Sequence, residues 1–297
     1  MTRRSYRDIR VQANHGLLLH ARSYGDTLAT SLPVICLPGL ARHAGDFHDI
    51  AMALTDPDEM QPRHVVAVDY RGRGLSGYDP DPGNYSIPVE TSDLLSLLAH
   101  LGISRGIFIG TSRGGIITMG LSGAKPGMVA GAVLNDIGPV IEREGLLRIK
   151  SYVGRLRQPR DLHEAAGIVE GLFGAQFPNL SDRDWQAWAR NTWEEKEGRL
   201  VLTYDPALAR TLEPIGPDSQ IPDLWAAFDG LKNMPVLVIR GGLSDLLSER
   251  TVAEMIRLHP DLDLVTVPDQ GHTPLLRGDD MVAAIRRFVE RVESRPD

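Results

Sequence analysis

Short apolar runs alternate along this chain with longer stretches whose apolar residues recur at helical spacing. Near the start, "YRDIRVQA" and "LLLHARSYG" alternate with period two around Asn14-His15-Gly16, which predicts an antiparallel hairpin. "PVICLPG", "HVVAVDYRGRG", "RGIFIG" and "MVAGAVLND" are continuous apolar runs closed by glycine, proline or aspartate, and each reads as a strand buried on both faces. Between them, "IPVETSDLLSLLAHLG" carries early acids, helical periodicity and Gly102 as its stop, and "RGGIITMGLSGA" reads as a second helix. Two further strands, "MPVLVIRGGLSD" and "LDLVTVPDQGH", precede a closing amphipathic helix, "DDMVAAIRRFVERVE".

Buried strands alternating with helices imply an α/β fold with a mostly parallel central sheet and helices on both faces. The hairpin belongs at one edge. Residues 139–228 break the rhythm: they hold all four tryptophans (Trp185, Trp188, Trp193, Trp225), several helical patterns and no convincing buried strand. The expectation is a core domain of 1–138 and 229–297 carrying a helical cap at 139–228, with most of the aromatics packing the insertion onto the core.

Composition narrows the function. The chain has 297 residues, a formal net charge of −7, and no long basic run, which argues against a general nucleic-acid binder. A single cysteine, Cys36, lies within a predicted strand and cannot form an internal disulfide, and no Cys/His cluster has metal-site spacing, so no metal is expected. The paired arginines near the start are followed by no apolar stretch, and no run has membrane-spanning length, so the expected location is the cytoplasm, with no membrane partner.

In an open α/β sheet, ligands bind beyond the carboxyl ends of the strands, so the residues just after strands come first. Gly110-Thr111-Ser112-Arg113-Gly114 fits G-x-S-x-G between a predicted strand and a predicted helix. That setting puts a serine on a tight turn with its hydroxyl exposed, and small neighbours let strand and helix approach closely. A serine nucleophile needs a base, and the base an acid, in the chain order Ser, Asp or Glu, His. Of the three histidines after Ser112, His163 lies in the insertion, His259 at a helix end, and His272 in a glycine-bearing loop after the last strand. His272 is the expected base.

Asp245, in the loop after the penultimate strand, is the expected acid, and Asp136, which ends an earlier strand on the same edge, is the alternative. Asp69 is expected to brace the "RGRGLS" turn. Donors for an oxyanion would be the backbone amides of Arg113, after the nucleophile, and Leu40, in the loop freed by Gly39. The Arg113 side chain has two readings, a clamp for a substrate carboxylate or an ion pair with Asp136 or another acid beside the turn, and the ion pair is favoured. Arg42 is a second candidate anion contact, and His43 a candidate pocket residue.

With these motifs in place, the chain resembles the α/β-hydrolase fold over nearly its whole length. The resemblance rests on "LPGL", "DYRGRGLS", "GTSRGG", "VLNDIGP", "GGLSD" and "GH", in order. It departs from the family in having Pro38-Gly39 where His-Gly is frequent, and Arg113 where an apolar residue is common. Relatives with an aspartate nucleophile are disfavoured by Ser112. The resemblance implies a Ser-His-Asp serine hydrolase that uses no cofactor and cleaves a carboxylic ester or a lactone with water as second substrate. Two alternatives share the fold: hydrolysis of a carbon–carbon bond in vinylogous keto acids, which a carboxylate grip by Arg113 or Arg42 would favour, and a ligand receptor with little turnover.

Overall fold

The computed structural model of the chain describes residues 6–13 and 16–295. The core elements run in order β1 (Arg7–Gln12), β2 (Leu18–Gly25), β3 (Val34–Leu37), α1 (His48–Leu54), β4 (His64–Asp69), α2 (Ile87–His100), β5 (Gly106–Thr111), α3 (Arg113–Ala124) and β6 (Val129–Asn135). After β6 come α4 (Arg143–Tyr152), α5 (Leu162–Phe173), α6 (Asp182–Arg190), β7 (Trp193–Lys196), β8 (Arg199–Leu202) and α7 (Trp225–Asp229). The sheet then resumes with β9 (Val236–Gly241), α8 (Glu249–Leu258), β10 (Leu262–Val267) and α9 (Asp279–Glu293).

The main sheet has eight strands in the order β1-β2-β4-β3-β5-β6-β9-β10. β1 and β2 pair antiparallel at one edge, β2 pairs antiparallel with β4, and β4 through β10 are parallel. The predicted hairpin is thus an edge pair. Its turn residues Asn14 and His15 lie outside the described residues, as do the paired arginines near the start.

Both faces of the parallel strands are apolar because both are covered. Ile35 and Leu37, Val66 and Val68, and Val236 and Val238 turn to a cluster containing Leu94 and Leu97 of α2, Ile117 of α3 and Met255 of α8. Their sequence neighbours Val34 and Cys36, Val65 and Ala67, and Leu237 and Ile239 turn to the other side, against Ile50 and Leu54 of α1 and Ile285 and Phe288 of α9. The period of two along each strand therefore divides one continuous apolar run between two cores. Cys36 is fully buried in this packing, which pushes its thiol pKa up and leaves it an inert core residue.

The segment between β6 and β9 is less purely helical than its sequence suggests, because β7 and β8 form a two-stranded antiparallel hairpin. The reach from Trp193 to Gly198 reads as helix because Glu and Lys are good helix formers. Glu197 and Gly198, with φ of 52° and 74°, instead make the turn that two-residue hairpins favour. The tryptophans also divide. Trp185 and Trp193 join Phe173 and Phe177 in a cluster internal to the insertion, whereas Trp225 packs against the sheet core.

Candidate functional site

Ser112 follows directly on Thr111 of β5, and its backbone sits at φ 50°, ψ −112°. Positive φ is costly for a residue with a β-carbon, by about 1–3 kcal/mol. The reversal it makes launches α3 straight off the strand. Close approach explains the surrounding glycines. A β-carbon at Gly114 would lie 2.1 Å from the Leu37 carbonyl oxygen, and one at Gly110 would lie 2.5 Å from the Gly115 nitrogen. Bulk at either position would separate strand from helix and move the serine.

Sheet register decides what stands beside it. Thr111 of β5 pairs with Asn135 of β6, so the next residues, Ser112 and Asp136, leave the sheet side by side. The Ser112 amide donates to the Asn135 carbonyl at 3.0 Å, and the Asp136 amide donates to the Ile239 carbonyl of β9 at 2.7 Å. His272, in the loop after β10, completes the arrangement: its Nε2 lies 3.0 Å from Ser112 Oγ and its Nδ1 2.7 Å from Asp136 Oδ2.

Asp136 is completely buried and also accepts hydrogen bonds from the Gly241 amide (2.8 Å) and the Ser244 hydroxyl (2.6 Å). An ionised carboxylate only accepts, so the Nδ1 proton of His272 points at Asp136. Nε2 is then free to accept from the Ser112 hydroxyl.

The structure departs here from the expected pairing of His272 with Asp245. The carboxylate hydrogen-bonded to His272 is that of Asp136, whereas Asp245 faces α4, where Arg148 grips it through Nε at 2.5 Å and Nη2 at 2.9 Å. The physical reason lies one residue earlier. The Ser244 hydroxyl turns to Asp136 while accepting from the amides of Leu246 and Leu247, and that tight turn directs the following carboxylate away from the histidine. Burial alone would raise the Asp245 carboxyl, but the Arg148 guanidinium outweighs it and holds the group below the usual carboxylate range. The alternative candidate, Asp136, occupies the position against His272.

The remaining candidates sort clearly. His259 bonds the Leu231 carbonyl at 3.0 Å and His163 lies on α5. Leu40 lines the same cavity as Ser112, and a β-carbon at Gly39 would lie 3.8 Å from Ser112 Cβ, so the loop after β3 runs against the serine. Arg113 occupies the first position of α3, where a backbone amide has no intrahelical acceptor. Its guanidinium turns away to Glu90 (2.5 Å) and the Tyr85 carbonyl (3.0 Å), which is the ion-pair reading with Glu90 as the acid.

Arg42 lines the cavity, but its fork is closed on Asp46, with both contacts at 2.6 Å, and its Nη1 donates to Thr192. His43 is nearly buried, its Nε2 donating to the Asn191 carbonyl and its Nδ1 accepting from the Gly45 amide. Asp69 does brace its turn, accepting from the Leu75 amide at 2.9 Å, and it also ties the Ala44 amide at 2.6 Å.

A cavity of about 460 Å³ opens over Ser112 and His272. Tyr152, Phe173, Trp188 and Tyr204, all from the segment between β6 and β9, form its far wall. Sequence reasoning missed Ser244 and Arg148. Ser244 stands beside the expected acid, in the same "GGLSD" motif; Arg148 carries no signal, since one arginine on an amphipathic helix looks like any other. Among the described residues no group of three or more His, Cys, Asp or Glu could hold a metal, and no helix is long and apolar enough to cross a membrane.

Comparison with known proteins follows the same outline. The family model described as "Alpha/beta hydrolase family" matches residues 34–285. A 3-hydroxybutyrate-oligomer hydrolase of Cupriavidus necator is 32% identical over 280 residues, covering 91% of this chain and 93% of that protein. A 2-(acetamidomethylene)succinate hydrolase of Mesorhizobium japonicum is 28% identical, covering 79% of each. The crystal structure of an alpha/beta hydrolase from Novosphingobium aromaticivorans superposes with a TM-score of 0.89 at 39% identity, covering 97% of this chain and 99% of that one.

Proposed function

Because the chain belongs to the α/β hydrolase family, we propose that it is a serine hydrolase of carboxylic esters, with Ser112 as nucleophile, His272 as general base and Asp136 as the acid that orients it. The observation carrying this reading is the continuous hydrogen-bonded line from Ser112 Oγ through the imidazole to a fully buried carboxylate. Ser112 Oγ attacks the ester carbonyl as its proton passes to His272 Nε2. Asp136 holds Nδ1–H and balances the charge of the imidazolium. The oxyanion that forms is met by the amides of Leu40 and Arg113. Collapse expels the alcohol, protonated by His272, and water repeats the sequence on the acyl-enzyme to release the acid and free serine.

The insertion at 139–228 acts as a cap. Its aromatic wall keeps water from the acyl-enzyme and shapes the acyl or alcohol subsite. A cavity of this size suits a small ligand rather than a polymer. Likeness to a 3-hydroxybutyrate-oligomer hydrolase favours short esters of hydroxy acids. The carbon–carbon alternative leaned on Arg113 or Arg42 gripping an acid group, and both guanidiniums are already engaged by carboxylates of this chain.

The test is release of p-nitrophenol from acetyl, butyryl and hexanoyl esters, together with cleavage of a linear 3-hydroxybutyrate dimer. Turnover by the wild type that disappears in Ser112→Ala, with an unchanged melting curve, supports the reading. Equal turnover in the two proteins sinks it.

A further inference from the structure

The two amides assigned to the oxyanion belong to separate segments, the loop after β3 and the start of α3, and one buried carboxylate connects them. Glu90 lies in the first turn of α2 and is completely shielded from solvent. Its Oε2 accepts from Arg113 Nε at 2.5 Å, and its Oε1 lies 2.7 Å from Arg73 Nη1. Arg73 is equally buried, and its Nε donates to the Leu40 carbonyl at 2.8 Å while Nη1 reaches the Arg71 carbonyl at 2.6 Å. The guanidinium of Arg73 is also flanked by the rings of Tyr70 and Tyr85, with centroids 5.7 and 5.5 Å away.

Resting on the serine-hydrolase reading, we propose that Glu90 and Arg73 are positioning residues that fix the spacing of the two oxyanion donors, Leu40 and Arg113. The argument is one of geometry and of charge. Arg113 is tied to Glu90 through its own side chain, and Leu40 is tied to the same carboxylate through Arg73, so neither donor segment moves without straining a buried ion pair. Preorganised donors stabilise developing charge because they need not reorient during the reaction.

The charge argument adds to it. Two guanidiniums share one carboxylate, which leaves a net positive charge, with Arg73 and Glu90 fully buried and Arg113 partly so, on the two donor segments. A buried triad of this kind is weak evidence for stability alone, since an apolar replacement serves as well. Its placement on the two donor segments is what a positioning role requires.

The test compares Glu90→Gln, Arg73→Met and Arg63→Met. Arg63 is as deeply buried and pairs with Glu293, but it stands before the amino-terminal end of β4 and touches neither donor segment nor Arg73 or Glu90, so it reports destabilisation alone. Three quantities are measured: kcat and KM for p-nitrophenyl butyrate, affinity for phenylboronic acid, which becomes a tetrahedral anion on a nucleophilic serine, and labelling by a fluorophosphonate.

In Glu90→Gln and Arg73→Met, kcat is expected to fall by about tenfold to a hundredfold, somewhat less than for outright removal of an oxyanion donor. Boronate affinity should fall in parallel, with KM near the wild-type value. Arg63→Met should melt earlier yet keep its kcat. Wild-type kcat and boronate affinity in folded Glu90→Gln and Arg73→Met would overturn the brace. If Glu90→Gln does not fold, Arg113→Met cuts one arm at a partly exposed side chain and must show the same kcat loss without a KM change. Absence of fluorophosphonate labelling in the wild type would instead remove the hydrolase reading on which the brace depends.

Discussion

Asp136 and Asp245 stand on neighbouring loops, after β6 and after β9, and the same sequence logic nominates either as the partner of His272. Asp136 is the first residue beyond β6, is fully buried, and accepts from the Gly241 amide, the Ser244 hydroxyl and the imidazole. Asp245 comes after the Gly241-Gly242-Leu243-Ser244 turn, keeps 26% of its side chain exposed, and is held by Arg148 of α4. Where the first is fixed by the register of two hydrogen-bonded strands, the second is fixed by the helix that packs on its loop. The Gly145 amide of α4 donates to the Asp245 carbonyl at 3.1 Å, and a β-carbon at Gly145 would lie 2.8 Å from that oxygen. Distance along the chain from a strand end thus separates a residue the sheet positions from one that its surroundings recruit.

Exchange of each aspartate for asparagine is the sharpest way to break this comparison. In Asp136→Asn the imidazole loses the carboxylate that sets its tautomer, and kcat is expected to fall on the order of 10³–10⁴-fold. In Asp245→Asn, kcat should stay close to wild type. Steady-state kinetics on one p-nitrophenyl ester decides between them, and the opposite ranking would return the acid role to Asp245.

A milder change sharpens it further. Ser244→Ala removes one of the three hydrogen bonds that steady Asp136, and also the acceptor for the Leu246 and Leu247 amides. A hydrogen bond to a charged group contributes about 1.5–3 kcal/mol, so kcat should drop by about tenfold to a hundredfold. The loss should be absent when Ser244→Ala is made in the Asp136→Asn background, because the group it serves is already gone. Full additivity of the two losses would mean that Ser244 acts on the loop and not on the carboxylate.

The same contrast explains what could be read from the sequence. The place of Ser112 at a strand-to-helix turn, that of His272 in the loop after the last strand, and the buried strands themselves were legible because each depends on local pattern: a glycine-flanked turn, a loop after an apolar run, a continuous apolar segment. The places of Leu40, in the loop after β3, and of Arg113, at the first position of α3, follow from the same local patterns. The choice between Asp136 and Asp245 was not legible, because it depends on which strands are neighbours, and β6 lies beside β9 only in the folded sheet. The hairpin of β7 and β8 escaped notice because a Glu- and Lys-rich stretch has strong helical preference and its turn signal, Glu197-Gly198, is weak. Glu90 looked like an ordinary acid at a helix start; only burial against two arginines, from 17 residues before it and 23 after, distinguishes it.

The pair that captures Asp245 makes the smallest prediction, and one whose sign follows from linkage. Arg148 holds the Asp245 carboxyl below its unfolded value of about 3.9 despite the opposing effect of burial. A carboxyl whose folded pKa is depressed contributes stability that is present above the unfolded pKa and is lost as pH falls through the folded one. Both side chains are about one-quarter exposed, so solvent screening limits the pair to about 1 kcal/mol or less.

Arg148→Ala should therefore lower the melting temperature by a few degrees at neutral pH, and the gap to wild type should close as the pH drops below about 4. Salt should narrow the gap as well. A gap that persists undiminished into strong acid would assign the loss to packing of the Arg148 stem against its neighbours instead of to the ion pair. In either case kcat at neutral pH should stay close to wild type, since the carboxylate hydrogen-bonded to His272 is the one that follows β6, and a large loss of kcat in Arg148→Ala would return Asp245 to a catalytic role.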